Sequence, residues 1–344
     1  MKILIGMGHP KDVHLWKNVI RSLLNDGHEV KIVAWDKDVT LYLLDTYGFP
    51  YEVLGKSHGH LIGKVWRLLK SELISFKIAK RFVPDILMGR ESCLAHISKL
   101  IGKPYVVFED TEHATISNWL KFPFSDVICT PSCFTKPIAP EKHITFDGYQ
   151  ELAYLHPNHF RPDPSILEDL GLGRDDKYII VRFVSWGASH DVGQHGFAHK
   201  EEVIRSLEKY GRVLISSEQK LDKTFEKYQI TLPPERMHDL LYYANLYIGE
   251  GATMACESAV LGTPAIYINT QRLGYLDDIE KRYELVYNFS DPKNGEEQAF
   301  GKAIKLLERE NLKEEWQTNR EKLLNEKIDV ATWMTHFIES YLGK

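Results

Sequence analysis

The sequence predicts an α/β protein built from two doubly wound, Rossmann-type parallel-sheet domains in series. Three observations predict it. Short runs that are apolar at every position alternate with helical stretches, the pattern of parallel strands covered by helices on both faces. The pattern breaks at "LHPNHFRPDPS", Leu155 to Ser165, where three prolines fall in eleven residues, and then restarts. The 344 residues also exceed one ordinary core and suit two domains of about 150 each.

In the first half "KILIGMG" reads as a strand and "DVHLWKNVIRSLLNDG" as the helix after it. Val13, Trp16, Ile20, Leu23 and Leu24 share one helix face, and Gly27 closes the helix. "EVKIVAW", "YEVLG", "DILMG", "YVVFED" and "DVICT" follow as strands separated by helices or long loops. Past the break, "KYIIVRFVSW", "RVLISSE", "NLYIGE", "PAIYIN" and "ELVYNF" repeat the alternation. Three amphipathic helices end the chain. The last, "VATWMTHFIESYL", carries Trp333, Phe337 and Leu342, too much apolar surface to leave in water. It is expected to return to the first domain. The expected divisions are therefore 1–160, 161–327 and a returning segment, 328–344.

Composition narrows the function classes. An apolar share of 43% with 26% charged residues is that of a folded globular chain. A net charge of −5 gives no electrostatic footprint for nucleic acid. No apolar run reaches the ~18 residues of a membrane span, and the start "MKILIGMG" meets charge too soon to be a secretion signal. Cys93, Cys129, Cys133 and Cys256 form no CxxC pair and no zinc spacing. They read as buried thiols, which points to a reducing cytoplasm.

The chemistry-bearing stretches sit where strands run into helices. "GEGATMACESAVLGTP", Gly249 to Pro264, brackets a glutamate with two glycines and continues as a helix of small residues, Thr253 to Leu261. The glycines allow a sharp turn and a close backbone approach. The unpaired N–H groups and positive dipole end at Ala252 and Thr253 attract an anion, most often phosphate. Glu257, four residues past Thr253, lies on the same helix face. With its upstream context, Leu232 to Asn269, this stretch resembles the C-terminal nucleotide-sugar half of GT-B glycosyltransferases and of the related UDP-N-acetylglucosamine 2-epimerases. The matching residues are Ala244-Asn245, Gly249 to Thr253, Glu257 and Gly262-Thr263-Pro264. The resemblance implies a GT-B-like fold with the ligand in an interdomain cleft. It further implies a diphosphate held by Gly251, Ala252 and Thr253, ribose hydroxyls on Glu257, and a nucleotide base bordered by His238. Asn245 stands where those families carry aspartate, a change that concerns turn structure more than chemistry. More narrowly, "FEDTEHA", "FPFSDVICTP", "GYQELAYLHP", "RFVSWGASHD" and "EGATMACESAVLGTPAIYIN" together resemble an uncharacterised prokaryotic family of unknown function.

Other loops supply candidate acid–base and polar groups. In "GMGHPKDVH", His9 and His14 flank the start of the first helix, where the dipole favours a neutral imidazole able to act as a base. The residues do not choose between the two. Lys11 occupies the third glycine position of GxGxxG, which argues against a dinucleotide cofactor. "FEDTEHA" crowds Glu109, Asp110, Glu112 and His113 past a strand end, where neighbouring carboxylates raise one another's pKa and one can serve as general base. In "SWGASHD" and "SSEQ", Ser185, Ser189 and Ser217 can donate to phosphate, while His190 and Asp191 can reach a sugar. Asp36-Lys37-Asp38 reads as helix capping rather than a metal motif.

"LIGKVWRLLKSELISFKIAKRF", residues 61–82, sets Ile62, Val65, Trp66, Leu69, Leu73 and Phe76 against Lys64, Arg67, Lys70, Lys77 and Arg81. Such a helix either packs its apolar face on the sheet or lies on an anionic membrane, bringing the site to a lipid-linked acceptor. The overall expectation is a metal-independent glycosyltransferase whose co-substrate is a nucleotide-sugar, a UDP-sugar, and whose acceptor is a saccharide or lipid-linked; no cofactor and no nucleic acid are expected. A UDP-sugar 2-epimerase shares the fold and nucleotide site, although its usual arginine near the first strand is absent from "GMGHPKDVH". A non-catalytic nucleotide-sugar-binding protein would keep Glu257 and lack a working base.

Overall fold

The apolar runs of the first half become strands because helices cover both of their faces. The computed structural model describes residues 1–56, 61–173, 175–183, 200–217 and 221–342. The chain divides into two units, Met1–Tyr154 with Ile328–Lys344, and Leu155–Lys327.

The strands of the first unit are β1 (Lys2–Met7), β2 (Glu29–Asp36), β3 (Tyr51–Lys56), β4 (Ile86–Gly89), β5 (Tyr105–Phe108), β6 (Val127–Pro131) and β7 (His143–Phe146). They pair in parallel in the order β3-β2-β1-β4-β5-β6-β7. Between them run α1 (Pro10–Asn25), α2 (Thr40–Thr46), α3 (Leu61–Phe82), α4 (Ser92–Ile101) and α5 (Thr115–Lys121), with α6 (Leu152–Leu155) after β7. Strand order reverses between β1 and β4, which puts a crevice at the carboxyl ends of those two strands. They approach so closely that a Cβ on Gly89, at φ +124°, would meet the Gly6 carbonyl oxygen at 2.5 Å. Only glycine fits there.

One sheet face buries Leu4, Val33, Leu54, Leu87 and Val107 against Ile78 and Ala79 of α3 and Leu94 and Ile97 of α4. α1 starts sharply because Pro10 sits in its first turn and a capping box holds its N-terminus. The His9 ring accepts from Lys11 N, and the Asp12 carboxylate accepts from His9 N. Its buried stripe is Val13, Trp16, Val19, Ile20 and Leu23; Leu24 turns outward. The last helix, α14 (Val330–Leu342), packs beside α1 in this unit and buries Met334 and Ile338 completely. Its Trp333 stacks on Phe337 at 5.4 Å and meets Phe146 at 5.0 Å.

Two sequence expectations change here. Strand β7 was not legible: "HITF" is a short edge strand, buried only at Phe146. Asp38 caps no helix. It adopts φ +49°, and α2 has Val39 at its N-cap with no side-chain bond.

The second unit carries β8 (Tyr178–Phe183), β9 (Arg212–Ser217), β10 (Leu246–Gly249), β11 (Ala265–Ile268) and β12 (Val286–Phe289). All pair in parallel, in the order β12-β11-β10-β8-β9, with the reversal between β8 and β10. Its helices are α7 (Ser165–Asp169), α8 (Lys200–Leu207), α9 (Met237–Tyr243), α10 (Ala252–Leu261), α11 (Gly274–Tyr283), α12 (Gly295–Leu307) and α13 (Leu312–Glu326). α10 is buried continuously from Ala255 to Leu261, which is why its residues are small or apolar on every side. Gly262 ends it in the left-handed region at φ +81°. Asn245 fixes the entry to β10: its Oδ1 accepts from Tyr178 N at 3.0 Å, the structural role expected of it.

Replacing the fully buried Ile338 of α14 by alanine removes three carbons from the first unit and is expected to cost about 2–5 kcal/mol. Hydrogen exchange should report it as lost protection in β1 and α1, with protection in β8 to β12 unchanged. Equal losses in both units, or none, would contradict the packing described.

Candidate functional site

At the carboxyl ends of β1, β4 and β5 the first unit buries a network of charges. Lys11, in the first turn of α1, pairs with Asp110 and lies 2.8 Å from Glu151. Arg90, just past β4, bonds to Asp12 and approaches Glu109 at 3.7 Å and Asp110 at 3.5 Å. Lys121 of α5 pairs with the other oxygen of Glu109. Burial depresses the Lys11 pKa, but Asp110 and then Glu151 outweigh it and hold the ammonium well above its usual range. Burial likewise raises Glu109, yet Lys121 and Arg90 overcome this and lower it to about 2.

The sequence reading had expected one of the crowded carboxyls past β5 to have a raised pKa. The structure reverses this for Glu109, because three cations enter the cluster. The carboxyl that is raised is Glu91, on the turn from β4 to α4. Burial is the main cause and the nearby Asp12 charge adds to it, while the Trp35 hydrogen bond, Lys121 and Arg90 oppose it. Trp35 Nε1 donates to Glu91 Oε2 at 2.6 Å. Among the described residues Glu91 forms no ion pair. The glycines of β1 make room for it: a Cβ on Gly8 would lie 2.1 Å from Glu91 Oε1, and one on Gly6 2.9 Å from Glu91 Cγ. The strand legible in the sequence, "DILMG", ends one residue short of Arg90 and two short of Glu91. The signal available was a charged pair at the end of an otherwise apolar central strand.

The other expected residues of this unit divide. Asp110 belongs to the network, and its Oδ1 also accepts from Thr111 Oγ1 at 3.0 Å. Glu112 is buried nearby in the chain but turns to Thr135, accepting from its N at 3.3 Å. His113 is half-buried in the same turn, ahead of α5. His9 is exposed and serves as the α1 cap. His14 is buried one turn further on, 5.5 Å from the Tyr154 ring and 5.9 Å from that of Tyr47. Beside Glu151, the amide of Gln150 is buried with neither polar atom hydrogen-bonded to a described residue, a group that calls for a partner.

In the second unit the turn from β10 to α10 has Gly251 as N-cap, a residue with no side chain to cap the helix. Gly251, Ala252 and Thr253 are half-buried. Arg182 of β8 lies against this turn: a Cβ on Gly249 would be 2.6 Å from Arg182 Cβ and 2.8 Å from Tyr247 Oη. A Cβ on Gly251 would be 3.3 Å from Arg182 Cγ. So these glycines, too, admit the protein's own side chains. Arg182 Nη1 donates to Ser216 Oγ at 2.7 Å, and Tyr247 Oη donates to the Gly251 carbonyl at 2.9 Å. Arg182 lies within "KYIIVRFVSW", which the sequence marks only as a strand.

Glu257 is one turn into α10 and 5% exposed. Its Oε1 is 3.0 Å from His238 Nε2, at the start of α9. The structure thus brings two residues predicted separately into direct contact. Ser217 is half-buried at the end of β9, one residue past the Arg182 partner. Ser185, Ser189, His190 and Asp191 lie outside the described residues.

Comparison with known proteins places this geometry. Residues 1–319 match the model of a family described as "Protein of unknown function (DUF354)". A curated relative, the uncharacterised protein MJ0665 of Methanocaldococcus jannaschii, is 23% identical over 331 residues, covering 90% of this chain and 95% of its own. Among solved structures, the S. aureus MnaA–UDP complex superposes with a TM-score of 0.70 at 11% identity, over 99% of this chain and 97% of the other. The spinosyn forosaminyltransferase SpnP gives 0.66 at 12%, and the UDP-GlcNAc 2-epimerase of Neisseria meningitidis bound to UDP-GlcNAc gives 0.65 at 13%, each over 100% of both chains. The fold is GT-B-like, shared by epimerases and glycosyltransferases.

Substituting Lys121 by methionine leaves Glu109 short of its main counter-charge and is expected to destabilise the protein by about 3–5 kcal/mol. The pH dependence follows from the sign of the Glu109 shift. Its folded pKa lies below the unfolded one, so its contribution is complete above about pH 4.5 and is lost as pH falls toward 2. Denaturation midpoints measured across that window should fall steeply for the native protein and less so for K121M.

Proposed function

The chain belongs to the DUF354 family, and we propose that its second unit binds a nucleotide-sugar, a UDP-sugar, whose sugar is then transferred to an acceptor. The observation that carries this reading is the N-terminus of α10, whose N-cap is a glycine with no side chain to offer and which has the Arg182 side chain beside it. N–H groups, the dipole and a guanidinium then act together on a diphosphate. They oppose most strongly the charge that grows as the diphosphate departs. The N-terminus of α1 offers no such site, because Asp12 already accepts from Gly8 N and His9 N. Glu257 supplies the acceptor for the ribose hydroxyls. A carboxylate accepts about four hydrogen bonds, so its bond to His238 is compatible with that role.

Proton transfer is assigned to Glu91 of the first unit. Its raised pKa brings it closer to neutrality than an ordinary carboxyl, whereas Glu109 is held ionised. A second reading, a UDP-sugar 2-epimerase, is favoured by the likeness of the fold to the UDP-GlcNAc 2-epimerase of Neisseria meningitidis. Incubation with UDP-sugars alone separates the readings. An epimerase converts its substrate without acceptor, a transferase shows at most slow hydrolysis, and a binding protein shows neither.

Calorimetric titration of UDP tests the nucleotide site. Glu257→Gln keeps the shape but removes the charge, and Arg182→Ala removes the guanidinium; each is expected to weaken UDP at least tenfold, about 1.4 kcal/mol. Glu91→Gln should leave UDP affinity unchanged and abolish turnover. Equal affinities in native, E257Q and R182A proteins of equal stability would remove the assignment.

A further inference from the structure

The first unit exposes apolar side chains around a single histidine. His96 of α4 holds Glu72 of α3 through Nδ1 at 2.6 Å and meets the Leu120 carbonyl of α5 through Nε2 at 2.9 Å. Its ring stands edge-on to Phe124 at 4.6 Å. Those three contacts bring α3, α5 and the turn after α5 to one face. Flanking them are Leu69 at 48% exposure, Leu73 at 64%, Ile116 at 64%, Trp119 at 74% and Phe124 at 39%. Single exposed apolar residues are ordinary, but several on elements that one histidine ties together are the mark of a surface that meets something else.

Its charge says what it meets. Leu69 and Leu73 follow helical spacing along α3, opposite the buried Ser71, Ser75, Ile78 and Ala79, while Phe76, next along the helix, is partly buried against the core. Lys70, Lys77 and Lys80 are exposed along the border of that stripe, with Lys80 Nζ 5.5 Å from the Phe76 ring. Among the described side chains of α3 the cations Arg67, Lys70, Lys77, Lys80 and Arg81 outnumber one acid, Glu72, on a chain whose net charge is −5; of these Arg81 pairs with Glu52 of β3, and the exposed lysines make the basic border. An apolar stripe with an exposed tryptophan and a lysine border matches the interface of an anionic bilayer. A second copy fits less well, because a two-fold contact would bring the lysine border against its own equivalent.

We propose that the α3–α5 face docks on an anionic lipid surface, Trp119 and Leu73 entering the headgroup boundary and Lys70, Lys77 and Lys80 meeting lipid phosphates. The test is co-sedimentation of the full chain with phosphatidylglycerol-containing vesicles and with pure phosphatidylcholine vesicles. Binding should be at least tenfold stronger to the anionic vesicles and should fall as salt is raised. Trp119→Ser, and separately Lys70→Glu with Lys77→Glu, should each lower it about tenfold or more. These positions are exposed, and the two variants probe the apolar and charged parts independently. No binding by the native chain, binding indifferent to lipid charge, or binding unchanged in both variants would overturn the proposal. So would a lipid-free dimer that Trp119→Ser dissociates, which would give the face to a second copy.

Discussion

Burying charge is costly unless every charge meets its opposite, and the carboxyl edge of the first sheet is organised by that constraint. Lys11, Asp12, Glu109, Asp110, Lys121 and Glu151 are each less than a tenth exposed. They come from the start of α1, the turn after β5, the end of α5 and the segment after β7, so each ion pair ties one of these segments to another. Arg90 joins the turn after β4 to the same set. Removing any cation strands a carboxylate, which makes the network a clamp on the loops as well as a feature of the site. Three cations, Lys11, Arg90 and Lys121, face four carboxylates, Asp12, Glu109, Asp110 and Glu151. Glu91, a fifth carboxyl, forms no ion pair among the described residues, and burial above all, with the Asp12 charge added, pushes it toward holding its proton.

The second unit uses the same arrangement with the sign reversed. In each sheet the strand order reverses between two neighbours, β1 with β4 and β8 with β10. In each, glycines on one of the two strands, or on the turn it leads into, leave room for a charged side chain carried by its neighbour or the turn after it. Gly6 and Gly8 receive Glu91; Gly249 and Gly251 receive Arg182. The helix beyond the first turn has its N-terminus closed by Asp12, and the helix beyond the second begins on a glycine N-cap that supplies no side chain. A carboxyl beside a capped helix suits proton transfer. A guanidinium beside an uncapped one suits an anion.

What the sequence made legible follows from which physics is local. The five strands of the second unit and six of the seven in the first stand out because a strand covered on both faces is apolar throughout. The helix at Ala252 and its glutamate are legible for the same reason, since turn, dipole and spacing are all set within sixteen residues. The glycines were visible but their cause was not: Gly6 and Gly8 face a side chain more than eighty residues away, Gly249 one more than sixty away. Glu109 shows the same limit. Neighbouring acids in sequence argue for a raised pKa, and only the fold reveals Lys121 and Arg90 beside it.

α3 carries that lesson furthest. Its sequence offers an apolar stripe through Leu69, Leu73 and Phe76, and periodicity alone assigns such a stripe to the core. The fold instead buries Ser71, Ser75, Ile78 and Ala79 and leaves Leu69 and Leu73 outside. Small residues let the helix close on α4, where Ser75 Oγ lies 3.7 Å from Cys93 Sγ and Ser71 Oγ returns its hydrogen bond to the Leu68 carbonyl. Leu68, Ile74 and Phe76 pack partly buried against the same core, so the apolar surface α3 leaves outside is that of Leu69 and Leu73, the part the proposed lipid contact uses.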